Sequence, residues 1–431
     1  MNSTSSSILS DLFDTATSIS PSTLVSSISS WKEYIIPIAL GYMALCRVLR
    51  YRGEKNLRRR MGFPEGCGRE ALSSMTNDQA QHIIKYLASW EFPEFHLMAL
   101  QFGLFKTYGV ESISRLLLAT RNLTDPVKSL KRYEDTAALI SEFMMHPPTS
   151  ERTIHAIARM NFLHSKYIQE GTISNEDLLY TLSVFVIEPP RFARLYEWRA
   201  INEMEYCAYG VFWKAIGDAM GISYKGLLAH DTWRDGIEWA DDITAWAKSY
   251  EADMMRPSVI ANKPAVALIP MITYWVPWFA KPFAQQAVCV LMGDRVREAF
   301  MLPEPSIAAG ATIYPLLLIR RLYLRYLALP RFSEVMRLGD ADPKTGRIHM
   351  RFPYGNYPFY MKPTLWNRWG PKAWAIWLYG GKVPGDNPEE FMPQGYLWTD
   401  LGPKNRMGLG AEEMEVDIKL MRSNRRGGCP F

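Results

Sequence analysis

Histidines are the residues of this 431-residue chain best suited to hold a metal ion or cofactor, and two of the seven share one predicted helix. Ser150 is placed to cap a helix over residues 151–169, which carries both His155 and His164. Nine residues at about 100° each set the two imidazoles on opposite faces, so they cannot bind one metal ion together. One of them is therefore the candidate ligand, and the other has a structural role.

Sequence motifs of several common enzyme classes are missing. The chain has no GxGxxG dinucleotide fingerprint, no P-loop, no GxSxG elbow and no HExxH motif. No histidine follows a glutamate by three residues, as a ferritin-like di-iron site requires, and no cysteine lies in a thiolate-haem loop. Asp241-Asp242 lacks the third aspartate of a terpene synthase cluster. What remains is histidine on helices in an apolar, aromatic-rich chain, which suits a haem pocket, although a packed core histidine is the simpler alternative.

A resemblance to a known family gives these residues a more definite role. The segment from Arg159 to Ile168, with the Arg132-x-x-x-Thr136 pair upstream, resembles the haem-helix region of the latex-clearing rubber oxygenases. The resemblance spans roughly residues 110–300, and it implies that His164 is the proximal ligand of a b-type haem. In that family the haem uses dioxygen to cleave isoprenoid double bonds. Arg132 and Thr136 share a helix face, so both could meet the haem; we assign Arg132 to cofactor binding and both residues to catalysis.

The resemblance leaves the distal acid or base unassigned. The rubber enzymes have a lysine just before the threonine, and this chain has Asp135 there. Glu134 and Asp135 are nearby acids, but a solvated helix face explains them equally well. Arg159 lies about 140° around the helix from His164, so we expect no direct haem contact; a surface salt bridge is the simpler interpretation.

A second resemblance covers the whole chain. The Ser-rich leader, the Arg58-Arg59-Arg60 stretch and the Leu329-Pro-Arg331 segment are similar to the endoplasmic-reticulum-bound oxygenases of fungal mycophenolic acid biosynthesis. This similarity implies cleavage of a double bond in the farnesyl chain of an aromatic substrate. A lipid membrane would be the other partner, and nucleic acid would not be one. Two alternatives remain open: a non-enzymatic, membrane-anchored helical binding or scaffold protein, and a non-haem enzyme on the same fold.

The sequence predicts that these residues are positioned by an all-α haem-binding core over residues 75–335. No alternating β-branched run competes with helix in this region. Ser174 is placed to cap a helix that ends at Glu188, before Pro189-Pro190, and another follows from about 192 to 217 or 221. Residues 336–431 are rich in Gly, Pro, Trp and Tyr and predict an irregular extension that wraps the core.

Charge and hydropathy predict a membrane anchor at the N-terminus. The chain carries a net charge of +5; residues 1–60 have eight Lys or Arg against four acids, and the remainder is close to neutral. That distribution disfavours a nucleic-acid-binding body. The apolar stretch 34–50 predicts a transmembrane anchor, preceded by a luminal Ser/Thr-rich tail (1–33) and followed by a basic linker (51–74). Seven basic residues in 47–60 put the body in the cytosol and the N-terminus in the lumen, where the Asn2 sequon could be glycosylated and the Asn122 sequon could not.

A second apolar zone covers residues 264–292. Pro264, Pro270 and Pro277 argue against a straight transmembrane helix there. We expect a buried core segment, with a membrane-contacting surface or an apolar substrate entrance as the alternative. The five widely spaced cysteines, without a CxxC pair, predict neither a zinc site nor a disulfide framework.

Overall fold

The computed structural model describes residues 21–120, 126–354, 356–423 and 427–431. Within these ranges the protein is helical and contains no β-strand, which confirms the predicted all-α class. The two sequons, Asn2 and Asn122, lie outside the described residues. In chain order the helices are α1 (Pro21–Met61), α2 (Arg69–Ser73), α3 (Asn77–Tyr86), α4 (Pro93–Thr107), α5 (Glu111–Ala119), α6 (Pro126–Met145), α7 (Glu151–Gln169), α8 (Asn175–Tyr196), α9 (Glu203–Ala219), α10 (Gly236–Met254), α11 (Val259–Ile272), α12 (Lys281–Met292), α13 (Asp294–Ala299), α14 (Ile307–Tyr326), α15 (Leu365–Trp369), α16 (Pro371–Leu378), α17 (Pro388–Phe391) and α18 (Ala411–Ser423).

The two predicted helix caps next to the candidate site are present. The Ser150 hydroxyl accepts a hydrogen bond from the Thr153 amide at the start of α7. The Ser174 hydroxyl accepts one from the Asp177 amide at the start of α8. Each cap satisfies an amide that would otherwise have no partner in the first turn, so the sequence located both N-termini.

The prediction that α8 ends at its prolines is wrong. The helix runs through Pro189 and Pro190, and the next helix begins only at Glu203. Phe192 and Tyr196, in the turns after the prolines, are buried against α4. Because packing on α4 continues past the prolines, it offsets the lost backbone hydrogen bonds and holds the helical path.

The central helices pack closely in pairs. α4 lies along α8, α9 lies between α3 and α10, and α7 lies between α6 and α18. Gly210 of α9 and Gly236 of α10 meet at the closest crossing, where a Cβ atom on either residue would collide with the other helix. This packing fixes α6 and α7, the two helices that carry the candidate site residues.

The N-terminal helix α1 continues without a break from the apolar stretch into the basic stretch. Its apolar side chains between Tyr34 and Leu45 are mostly exposed, whereas Cys46 and Leu57 are buried against the body. Among the described residues, two segments are long and apolar enough to cross a membrane, Tyr34–Met61 and Ile307–Tyr326. The second segment, helix α14, was not anticipated from the sequence.

The apolar zone at 264–292 is not the buried core segment that we expected. Its side chains Val266 and Ile272 are exposed, and Trp278 and Phe279 at the turn before α12 are exposed more strongly. Only part of the zone, including Ala265 and Cys289, packs into the body. The prediction failed because hydropathy alone does not distinguish an apolar segment that faces the core from one that faces outward.

The described residues of 336–431 form short helices and loops, with two isolated backbone bridges, Leu338–Met350 and Ile348–Tyr396. α18, near the C-terminus, packs on α7, the helix that carries His164. The C-terminal segment therefore lies directly against the candidate site.

Candidate functional site

A cavity of about 1280 Å³ lies between the helices of the body and the C-terminal segment. Arg132 and Thr136 of α6 and His164 of α7 all line it, so the structure brings the three candidate residues into one space. His155 does not line the cavity; its ring stacks on Trp398, with ring centroids 5.7 Å apart. Of the two histidines on α7, His164 is therefore the one placed to meet a ligand.

The imidazole of His164 has one nitrogen engaged and one available. Its Nδ1 lies 2.8 Å from the carbonyl oxygen of Met160, and because a carbonyl only accepts, Nδ1 must carry the proton. Nε2 then keeps its lone pair, and it has no hydrogen-bond partner among the described residues. Burial lowers the pKa of His164, and the nearby Arg132 guanidinium lowers it further, so the ring is neutral at pH 7. A neutral imidazole oriented through Nδ1–H is the usual state of a metal-ligating histidine.

The two α6 residues, Arg132 and Thr136, differ in whether their side chains already have a hydrogen-bond partner. The Thr136 side chain lines the cavity, and its hydroxyl donates a hydrogen bond to the Arg132 carbonyl, 2.9 Å away. The half-buried Arg132 guanidinium makes no hydrogen bond or ion pair to any residue in the described part of the chain. An arginine that lines a cavity without a carboxylate partner is suited to bind an anionic group of a ligand.

Asp135 is a structural residue that holds the C-terminal segment. Its carboxylate accepts hydrogen bonds from Lys131 Nζ (2.8 Å), the Tyr360 hydroxyl (2.6 Å) and the Gly402 amide (3.0 Å). Lys131 Nζ also donates to the Gly402 carbonyl, 2.8 Å away. The residue that replaces the lysine of the rubber enzymes is therefore used to join α6 to the C-terminal segment, and a solvated helix face is the wrong interpretation.

Glu134 is buried as well, and it lines the cavity. Burial raises the pKa of Glu134 to about 8, and the adjacent Asp135 carboxylate contributes. No residue in the described ranges forms an ion pair with it. A carboxylic acid that keeps its proton near neutral pH can donate a hydrogen bond or a proton into the cavity. Sequence reasoning noticed this residue but lacked the signal that it is buried.

Arg159 fixes the far wall of the cavity and is not in a surface salt bridge. Its guanidinium is fully buried and donates to backbone carbonyls of the C-terminal segment, with a longer contact of 4.0 Å to the Met414 sulfur. The acceptors are Thr399, Leu401, Arg406 and Leu409, at 2.6–2.9 Å. Arg159 does not line the cavity, although Gly402 and Arg406, within the segment that it holds, do. The C-terminal segment thus completes the site.

Gly402 allows this segment to approach α7. Its φ of +118° lies in a region that side-chain-bearing residues rarely adopt, and a Cβ atom there would lie 2.7 Å from Leu163. Leu163 immediately precedes His164, so the glycine lets the backbone of the C-terminal segment pack against the turn that carries the imidazole. The sequence alone gave no sign of this contact.

The remainder of the cavity wall is largely apolar. Phe102 of α4 and Phe185 of α8 line it, as do Leu268 and Met271 of α11. Ile272 and Trp275 both line the cavity and are exposed, so the apolar end of the cavity opens to the surface beside α11. This half of the cavity suits a hydrocarbon chain, and the half near His164 and Arg132 suits a group with a metal and an anionic edge.

These features define the class of protein: an all-α catalytic domain in which one available imidazole faces a large apolar cavity. A family model described as "ER-bound oxygenase mpaB/B'/Rubber oxygenase, catalytic domain" matches residues 111–323, a range that contains Arg132, Thr136 and His164. The ER-bound oxygenase mpaB' of Penicillium brevicompactum is 39% identical over 406 residues, which cover 94% of this chain and 95% of the relative. The ER-bound oxygenase mpaB of the same species is 39% identical over 380 residues, 88% of this chain and 90% of the relative.

The mpaB of Penicillium roqueforti (strain FM164) is 38% identical over 295 residues, 68% of this chain and 98% of the relative. The chain therefore belongs to the mpaB/rubber oxygenase family. It is an oxidoreductase that uses dioxygen, and the non-enzymatic alternative is set aside.

Proposed function

We propose that this oxygenase is membrane-attached and uses haem b to cleave a double bond in the farnesyl side chain of an aromatic intermediate, as in mycophenolic acid biosynthesis. The observation that carries the proposal is the available Nε2 of His164 in a large apolar cavity beside the unpaired Arg132. The sequence resemblance to the haem helix of the rubber oxygenases supports the same assignment.

The residues present fit a haem group. His164 offers one neutral nitrogen, and Arg132 offers a cation for a propionate. The cavity of about 1280 Å³ exceeds the 300–1,000 Å³ of ordinary ligand pockets, which leaves room for a cofactor together with a substrate. No three His, Cys, Asp or Glu side chains in the described part of the chain are grouped to hold a metal ion. This arrangement favours a single imidazole ligand over the non-haem alternative. When bound, haem would supply the dioxygen chemistry.

The residues of the chain bind, orient and hold protons. His164 would hold the iron, and Arg132 would orient the group through its carboxylates. Thr136 lines the cavity with its hydroxyl proton donated to the backbone, and Glu134 holds a proton on its carboxyl group near neutral pH. The apolar wall formed by Phe102, Phe185 and α11 would align an isoprenoid chain and exclude water.

Attachment to the endoplasmic reticulum is part of the proposal. The printed names of the relatives describe ER-bound proteins, and the exposed apolar part of α1 supports an anchor at residues 34–50. The basic residues that follow favour a luminal N-terminus and a cytosolic body. A glycan on Asn122 in cells would contradict this orientation.

The test is the absorption spectrum of the purified full-length protein, with His164→Ala compared with His155→Ala. We expect a Soret band in the wild-type protein and in His155→Ala, and no Soret band in His164→Ala. Mass spectrometry of the products should show that His164→Ala no longer cleaves a farnesylated aromatic acceptor. Far-UV circular dichroism confirms that each variant is folded. An unchanged Soret band and full activity in His164→Ala would refute the assignment of His164 as the haem ligand.

A further inference from the structure

We propose that helices α11, α12, α14, α15 and α16 together present a second membrane-contacting surface, which lies in the bilayer beside α1 and surrounds the apolar mouth of the cavity. We call it the apolar belt. Its occupant is lipid, and an apolar substrate would enter the cavity sideways from the bilayer. The inference uses the membrane attachment of α1, which belongs to the proposed function.

Helix α14 is fixed to the body on one face and exposes apolar residues on the other. Leu317 packs on the cluster around Phe192, and Arg320 donates to the Tyr196 carbonyl (2.8 Å) and the Glu197 carboxylate (2.9 Å). Around the rest of the helix, the exposed apolar side chains include Tyr314, Leu318, Ile319 and Leu322. No charged residue occurs between 305 and 319. A helix joined to the body along one face is placed to lie in a membrane surface, with its outer face in lipid.

The turn before α12 continues this surface. Trp278 is 82% exposed and Phe279 is 71% exposed, in a stretch from 264 to 280 that has no charged residue. The Gln286 side chain of α12 accepts hydrogen bonds from the Ser306 amide (3.1 Å) and hydroxyl (2.6 Å) at the start of α14. α12 and α14 therefore form one packed unit.

Helices α15 and α16 add an aromatic edge on the other side of the cavity mouth. The ring of Trp275, which lines the mouth, lies 5.8 Å from that of Tyr379, just after α16. The Tyr274 hydroxyl donates to the Tyr379 carbonyl, 2.9 Å away. The large apolar side chains exposed on these two helices are Leu365, Trp366, Trp369, Trp374 and Leu378, and Lys372 of α16 is also exposed. Tryptophan is enriched where proteins meet the membrane interface.

The belt is continuous with the apolar part of α1. The Tyr42 hydroxyl donates to the Leu327 carbonyl (2.9 Å), and Arg50 Nε donates to the Ala328 carbonyl (2.7 Å), so α1 lies against the end of α14. This continuity identifies lipid as the occupant, since a bilayer that surrounds α1 also reaches α14. The exposed Ile272 and Trp275 at the cavity mouth then face the same bilayer.

The experiment is spin-label accessibility on the full-length chain in lipid nanodiscs. Cys67→Ser and Cys429→Ser first remove the two cysteines that are not buried. Single labels are then placed in the belt at Phe279→Cys, Ile319→Cys and Leu378→Cys. A label at Ile38→Cys in α1 reports the attachment itself, and a label at Val416→Cys, an exposed apolar position on α18, is the matched aqueous control.

We expect the ratio of dioxygen collisions to collisions with a polar nickel chelate to be roughly tenfold higher at the three belt labels than at Val416, because hydrocarbon excludes the chelate. Belt labels as accessible to the chelate as Val416, with Ile38 in lipid, would overturn the belt and leave the attachment standing. Water-accessible labels at Ile38 and the belt would overturn both. Belt labels shielded from both reagents in a dimeric protein would assign the surface to a second copy instead. The Soret band of each sample tests the haem assignment separately.

Discussion

The buried guanidinium of Arg159 allows a quantitative test of how the C-terminal segment completes the site. Burial lowers the pKa of Arg159 to about 10, so it remains charged at pH 7 and its hydrogen bonds are charge-assisted. A hydrogen bond to a charged group contributes about 1.5–3 kcal/mol, but the bonds of one guanidinium are not additive. Arg159→Met leaves four carbonyl groups without their donor, and we expect the free energy of unfolding to fall by about 4 kcal/mol.

The assay is thermal and denaturant unfolding of the full-length protein in detergent, followed by tryptophan fluorescence. At about 2.1 cal/mol/K per residue, the 431-residue chain has an unfolding entropy of about 0.9 kcal/mol/K, so a loss of 4 kcal/mol corresponds to a decrease in Tm of roughly 4–5 °C. The control is Arg422→Met, which removes an exposed ion pair to Glu151 between α18 and the same helix, α7, and should cost less than about 1 kcal/mol. Arg159→Lys keeps the charge but cannot reach every carbonyl, so it should lie between the wild-type protein and Arg159→Met.

A second measurement separates local from global effects. In Arg159→Met, limited proteolysis should cut between residues 399 and 410 faster than in Arg422→Met, because the segment has lost its attachment to α7. If Arg159→Met instead has the same free energy of unfolding and the same rate of proteolysis as Arg422→Met, the guanidinium does not hold the segment and the reasoning is wrong.

Two further predictions concern the cavity wall. The pKa of Glu134 is raised above its unfolded value, so the folded state holds a proton that the unfolded state releases. The free energy of unfolding should therefore fall as pH rises from about 4.5 to about 8, by at most roughly 1.4 kcal/mol per pH unit. In Glu134→Gln the free energy of unfolding should depend less steeply on pH. An equal dependence on pH in the two proteins would contradict the burial of Glu134. Gly402→Ala should lower the free energy of unfolding by about 1–3 kcal/mol, because Gly402 has a positive φ and its Cβ atom would contact Leu163. The control is Gly171→Ala, also at positive φ but in open space, which should lower it less. Equal Tm values for the two variants would contradict the close approach of Gly402 to Leu163.

Local signals in the sequence accounted for the helices around the site. Ser150 and Ser174 located the N-termini of α7 and α8 because a cap acts within one turn of the chain. The helical period separated His155 from His164, and the family resemblance selected His164. Both steps depend on residues close together in sequence, so the sequence sufficed to name the candidate ligand.

Tertiary packing decided what surrounds that ligand. Arg159 looked like a surface residue because its partners lie far away in sequence, in residues 399–410, and the burial of Glu134 likewise has no local signal. Pro189 and Pro190 stay helical because α4 supports α8, and the apolar zone at 264–292 is largely exposed, which its hydropathy did not reveal. The sequence determined which residues could do chemistry; the packing of distant segments determined which of them share a cavity, since burial is a property of the assembled chain.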